Sequence, residues 1–203
     1  MKPNSVIRHI LPMVWLFALL ASDVFAHPHA FIVDRMTIVF DDQGMAGIRI
    51  QWNFDEFFSG MLAEDYDRDH DGRFSPEEVA VLKKEAFDNL AEYGYFSHIK
   101  IAGKPFPVKF VKNFEAVLEQ GKMAYSFFIP CHVKATDRIK EIRIAQYDTT
   151  YYSAILYSES KPIVIENADG FEVTHKLAEN PDETYYFEML HPVEAVIRFR
   201  KVS

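Results

Sequence analysis

A single cysteine, Cys131, stands in a chain of 203 residues. No intramolecular disulfide can form, so stability must come from a buried core. Basic residues are also in deficit: 22 lysines and arginines face 30 aspartates and glutamates, a formal net charge of −8. No lysine- or arginine-rich stripe compensates, so the chain lacks the electrostatic footprint of a nucleic-acid partner. The longest apolar run, Ile10 to Ala21, falls short of the roughly 20 residues that span a bilayer. Contact with a membrane is therefore expected only through a partner. The chain has no G-x-S-x-G, C-x-x-C or H-E-x-x-H and no phosphate-cradling glycine loop, so no familiar enzyme class is indicated.

What is present is a globular composition, 49% hydrophobic and 15% aromatic, enough to bury one sizeable core. Lys2 and Arg8 precede the apolar run, and Val24-Phe25-Ala26 places small residues at the −3 and −1 positions of a cleavage site. That is the pattern of a secretory signal peptide over residues 1–26. Export and cleavage after Ala26 are expected, giving a periplasmic protein whose single β-rich domain covers residues 27–203.

The most specific motif runs from Asp67 to Glu78, D-R-D-H-D-G-R-F-S-P-E-E, and fits the calcium-loop pattern D-x-[DN]-x-[DN]-G-x5-E without a mismatch. Asp67, Asp69 and Asp71 supply hard oxygens at positions 1, 3 and 5, and Gly72 permits the sharp turn. Arg73 offers its backbone carbonyl at position 7, Ser75 sits at position 9, and Glu78 closes the shell with two carboxylate oxygens. Calcium prefers such an all-oxygen set, whereas zinc, nickel and copper seek nitrogen or sulfur. The flanks are helical. Ser75 is an N-cap, Pro76 takes the first helical position and Glu78 completes a capping box. Val79, Leu82, Ala86, Phe87, Leu90 and Tyr93 form a stripe that Gly94 ends, and Phe57, Phe58, Met61 and Leu62 give an upstream helix begun near Asn53 or Asp55. This EF-hand-like module, at about residues 55–93, is single, which suits a structural clip better than a cooperative switch.

Cleavage after Ala26 makes His27 the first residue of His27-Pro28-His29. A free α-amine and two imidazoles within three residues form a nitrogen donor set for zinc, nickel or copper. Pro28 has no amide proton, which excludes the square-planar copper motif that deprotonates the second amide. Chelation by the His27 amine and ring, as in a copper histidine brace, stays open, and so does use of both rings for zinc or a disordered terminus.

Strand-like segments surround the module. Phe31–Phe40 and Ile48–Phe54 read as a hairpin about Asp41–Gly44. Further candidates are His98–Ile101, Phe106–Phe114, Ala116–Glu119 paired with Met123–Val133, Glu141–Tyr147, Tyr151–Tyr157, Ile163–Glu166, Phe171–Leu177, Thr184–Leu190 and Ala195–Phe199. Such spacing predicts an α+β, mostly β, protein: an antiparallel β-sandwich-like domain with an inserted EF-hand-like helix–loop–helix.

His27-Pro28-His29 before an aromatic strand, Trp52-x-Phe54-Asp55-Glu56, the calcium loop, Tyr93-Gly94-Tyr95-Phe96-Ser97-His98 and Tyr147-Asp148-x-Thr150-Tyr151-Tyr152 occur in this order. Together they resemble a family of bacterial periplasmic proteins of unknown function, often labelled the periplasmic component of an ABC-type transport system. Thr149 stands where members commonly carry a proline. The resemblance implies zinc or nickel handling beside a nickel/cobalt-type membrane permease, with His27 and His29, completed by His98 and Asp148, as the transition-metal residues. The two-lobed α/β build of the usual solute-binding protein is not expected, because strands and helices do not alternate here. The residues leave three functions open: a zinc- or nickel-binding transport accessory, a copper histidine-brace oxidative enzyme, and a calcium-stabilised structural or adhesive module.

Overall fold

Alternation of inward and outward side chains writes the first two strands. The computed structural model describes residues 28–202; the expected signal peptide and His27 lie outside them. Strand β1 (Ala30–Asp41) turns Ala30, Ile32, Asp34, Met36, Ile38 and Phe40 inward, and β2 (Gly44–Phe54) answers with Ile48, Ile50, Trp52 and Phe54. The turn between them is built by Asp41, whose Oδ1 accepts from the Gln43 and Gly44 N–H groups at 2.8 and 3.0 Å. Gly44 has φ +151°, and a Cβ there would lie 2.3 Å from the Val133 carbonyl oxygen. Only glycine lets the hairpin and its neighbour approach so closely.

The remaining strands are β3 (Ser97–Ile101), β4 (Lys104–Phe106), β5 (Lys112–Glu119), β6 (Lys122–Lys134), β7 (Lys140–Gln146), β8 (Ser153–Tyr157), β9 (Ile163–Glu166), β10 (Phe171–Glu179) and β11 (Val193–Lys201). They form two sheets. One has the order β5-β6-β2-β1-β8, with β9 also on β1; the other has the order β10-β11-β7-β3-β4. The mostly-β, α+β expectation holds. Three particulars differ. The first sheet is mixed rather than antiparallel, because β8 and β9 pair with β1 in parallel. They follow a crossover from the second sheet, and a strand that arrives by crossover is not bound to the reversal a hairpin imposes. The expected strand Phe106–Phe114 is two strands, β4 and β5, separated by irregular chain through Pro107. Finally, Thr184–Leu190 is a tight turn held by a single bridge between Tyr185 and Leu190.

The helical module follows β2. Helix α1 (Glu56–Tyr66) is capped by Asp55, whose carboxylate accepts from the Phe58 N–H. The same side chain accepts from the Phe31 N–H at 2.7 Å, joining the helix start to β1. Helix α2 (Pro76–Leu82) begins at the Ser75 cap with both bonds of the capping box present. The predicted single helix to Gly94 loosens after Leu82 into a π turn (Lys83–Phe87) and a tighter helical stretch (Asp88–Phe96) that bends at Gly94. That change of pitch sends Phe87 into the core. The ring is fully buried, 4.0 Å from Phe114 and 5.3 Å from Phe127 between centroids.

One buried polar contact fastens the module to the sheet. The fully buried Ser59 of α1 accepts from the Met123 N–H of β6 at 3.0 Å. Ser59→Ala leaves that buried donor unsatisfied, and unfolding in urea should show a loss of about 1–3 kcal/mol. Among the described residues no helix is long and apolar enough to cross a membrane.

Candidate calcium loop and transition-metal residues

The loop between α1 and α2 is preformed by its own acidic side chains. Asp67, at the end of α1, accepts from the Gly72 N–H through Oδ2 at 2.9 Å and from the Asp71 N–H through Oδ1 at 3.2 Å. Asp71 Oδ1 accepts from the Arg73 N–H at 2.8 Å. His70 and Gly72 take positive φ, 56° and 80°, which folds the chain back on itself. As a result, carboxylate oxygens of Asp67, Asp69 and Asp71 all lie within 4.8 Å of one another. Asp67 is buried while Asp69 and Asp71 are exposed. Three like charges this close repel unless a cation lies among them, and only oxygen is offered, as calcium prefers.

Glu78 stands outside that cluster. Its Oε1 accepts from the Arg68 N–H at 2.7 Å, and its Oε2 accepts from the Ser75 N–H and hydroxyl at 2.8 and 2.9 Å. The Ser75 and Arg68 N–H groups hold this carboxyl below the usual glutamate range, so it is ionised at neutral pH. Glu78 thus ties the first residues of the loop to the start of α2, with its negative charge beside the three aspartates. Ser75 contributes the cap, and Arg73 is fixed through its backbone.

The expected transition-metal residues are placed differently. His27 is outside the described residues. His29 donates its backbone N–H to the Tyr152 carbonyl at 2.8 Å, and its ring lies 5.0 Å from that of Tyr152. His98 lies flat on Tyr147, with centroids 3.7 Å apart and planes within 8°, and its Nε2 is 3.1 Å from the Tyr147 carbonyl oxygen. A carbonyl only accepts, so Nε2 carries the proton and Nδ1 keeps a lone pair. Burial pushes the His98 pKa down, against the Tyr147 carbonyl, so the ring is neutral at neutral pH.

Asp148 is 3% exposed and committed. Oδ1 accepts from the Thr150 N–H and hydroxyl at 2.8 and 2.7 Å, and Oδ2 accepts from the Ser153 N–H at 3.1 Å. It braces the turn that carries Tyr147, Tyr151 and Tyr152 rather than facing a ligand. His29, His98 and Asp148 do not converge: among the described residues the aspartate cluster is the one group of three or more such side chains with ligand atoms within 4.8 Å. With His27 outside the described residues, the set expected from all four residues is not brought together by the three that are described. His29 and His98 do share a support, because both lean on tyrosines of the turn Asp148 braces. Asp148→Ala removes charge-assisted bonds to two backbone N–H groups and should cost about 2–4 kcal/mol, measurable by denaturant unfolding.

Sequence reading missed the surroundings of His98. An open cleft of about 700 Å³ is lined by His98, Tyr147, Lys100, Glu183, Glu92 and Tyr93, among others. Burial opposes the Lys100 charge, but hydrogen bonds to Glu183 and Glu194 outweigh it and raise its pKa. The loop bearing Glu183 is thereby strapped to β3. No local pattern announces this network, since its members come from β3, β11 and the loop after β10.

Comparison with known proteins gives relatives without assigned roles. The family described as "Protein of unknown function (DUF1007)" matches residues 13–192. The chain is 30% identical over 136 residues to an uncharacterized 15.5 kDa protein in the trpE 3' region of Spirochaeta aurantia, covering 67% of this chain and 96% of that one. It is 29% identical over 168 residues to an uncharacterized protein of Haemophilus influenzae, covering 79% of this chain and 77% of that protein.

Proposed function

The chain belongs to the DUF1007 family of proteins of unknown function, and from its residues we propose an exported, periplasmic metal-binding accessory of a transition-metal transport system, held in shape by one calcium ion. The observation that carries the calcium part is the convergence of Asp67, Asp69 and Asp71 within 4.8 Å in a loop whose two ends Glu78 already joins. An ion there would neutralise the cluster and lock α1 to α2. Being single, the loop acts as a clip.

The transition ion is cargo. Zinc or nickel would be held at the terminus created by cleavage, by the His27 amine and ring and the His29 ring, and passed to or from a nickel/cobalt-type membrane permease. This part rests on the donor chemistry of His27-Pro28-His29, on the signal-peptide pattern, and on the resemblance that associates such chains with permeases. The seating of His29 on the braced turn supports it, since a terminus fixed at that point holds its donors together at lower entropic cost.

Equilibrium dialysis of the cleaved protein against calcium, zinc and nickel tests the reading. The account expects one calcium that disappears in Asp67→Asn/Asp69→Asn, and one zinc or nickel that this variant retains. Calcium alone would support a structural module, and tight copper with oxidase activity a histidine brace. Either outcome overturns the accessory role.

A further inference from the structure

The alternation of β1 has one member out of character. Ala30, Ile32, Met36, Ile38 and Phe40 face the core, and between them so does Asp34, with 0% exposure. Neither carboxylate oxygen has a hydrogen-bond partner. On β2 its neighbour is Trp52, and on β8 it is Tyr157. Trp52 directs its indole N–H to Gln146, and the Tyr157 hydroxyl is 3.2 and 3.3 Å from the carbonyl oxygens of Ile144 and Val193. The groups that might have served Asp34 are thus engaged elsewhere.

The position is a seam. Asp34 and Tyr157 form the last pair between β1 and β8, and Met36 with Ile163 the first between β1 and β9. The intervening chain is pinned by the Ser158 N–H to the Asp34 carbonyl at 2.8 Å and by the Met36 N–H to the Pro162 carbonyl at 3.0 Å. The titratable and charged groups around the carboxyl are few. Tyr157 faces it from β8. Glu194 of β11 acts on Tyr157 but is itself bound by Lys100, Arg143 and Asn180. Arg35, next on β1 and so on the opposite face, directs Nη2 to the Ser160 carbonyl, while its Nε is buried without a partner. Among the described residues, therefore, no cation reaches Asp34 from inside the core.

We propose that Asp34 is a one-proton latch at this seam: the folded sandwich closes β8 onto β1 over a neutral carboxylic acid, and loss of that proton loosens β8. An ionised carboxylate with no partner is among the costliest groups to bury. Relief on ionisation lies in exposing the side chain, and the pairing it strains is that of β8, a five-residue strand at the edge of its sheet. Burial raises the Asp34 pKa well above the usual aspartate value, and it is the one carboxyl among the described residues pushed upward. The sign follows. Because the folded value is the higher one, the stabilisation is complete below the unfolded pKa of about 3.9. It declines as pH rises from there and is lost once pH passes the folded pKa.

Two measurements on the intact protein in saturating calcium test this. Infrared spectroscopy at pH 5, above the ordinary aspartate value, should show a protonated-carboxyl stretch that Asp34→Asn lacks; its absence from the unaltered protein overturns the proposal, whether or not the variant folds. Urea unfolding from pH 5 to 8 should show the folding equilibrium constant falling, relative to Asp34→Asn, by up to tenfold per pH unit, the one-proton limit. Protection of the β8 amides against hydrogen exchange should fall in parallel. Superimposable pH profiles, or β8 protection independent of Asp34, would contradict the latch.

Discussion

Calcium at about 10 mM should raise the unfolding midpoint of this protein by about 3–10 °C over the same protein in chelator. The magnitude follows from mass action. A lone exported loop is expected to bind with a dissociation constant of about 10⁻⁴–10⁻³ M, so that concentration contributes about 1.4–2.7 kcal/mol, and a domain of this size shifts by about 2–4 °C per kcal/mol. Glu78→Gln separates the residue's two tasks. Glutamine can still serve the capping box, but its amide nitrogen cannot also accept from the Arg68 N–H, so in chelator the variant should melt below the unaltered protein by the loss of one charge-assisted bond. It lacks the second anionic oxygen, so the response to calcium should largely vanish. Differential scanning calorimetry of both proteins in both buffers reads this directly. Equal melting of the unaltered protein with and without calcium would eliminate the clip.

Transition-metal binding should depend on the liberated terminus, because His29, His98 and Asp148 do not meet. A protein carrying one extra residue before His27 has an acylated amine there and loses a donor. It should bind zinc or nickel at least about tenfold more weakly, a loss of about 1.4 kcal/mol, and His29→Ala should weaken binding by a similar factor. His98→Ala should stay within about threefold of the unaltered protein, roughly 0.6 kcal/mol, because its Nε2 is bound to the Tyr147 carbonyl and it forms no three-ligand group with His29 and Asp148. Glu78→Gln should leave this site intact, since the two ions use different donors. Calorimetric titration of the four variants decides among these, and indifference to the extra residue would move the search to the cleft around His98.

Features encoded over a few neighbouring residues were legible in the chain. The Asp41–Gly44 turn, the Asp55 and Ser75 caps and the loop from Asp67 to Glu78 each depend on side chains bonding backbone two to five residues away. Long-range arrangements were not. The parallel pairing of β8 and β9 with β1 depends on where a crossover returns, which no local pattern records. Thr184–Leu190 has strand-forming residues yet curls, with Tyr186, Phe187 and Glu188 all at positive φ. Asp148 illustrates a different limit. An aspartate can hold a metal or brace a turn, and residue type does not distinguish the two; the three bonds it accepts do. Asp34 did leave a trace, a charged residue at a core position of an otherwise apolar alternation, and its strand position alone would have exposed it.

On the reading proposed above, this protein carries two kinds of ion on two unlike sites. The most direct measurement is elemental analysis of the protein purified from its native compartment without added metal or chelator. The account predicts about one calcium together with zinc or nickel, the latter lost on blocking the His27 amine while the calcium stays. Protein that carries calcium alone, or that keeps its transition metal after the amine is blocked, would contradict it.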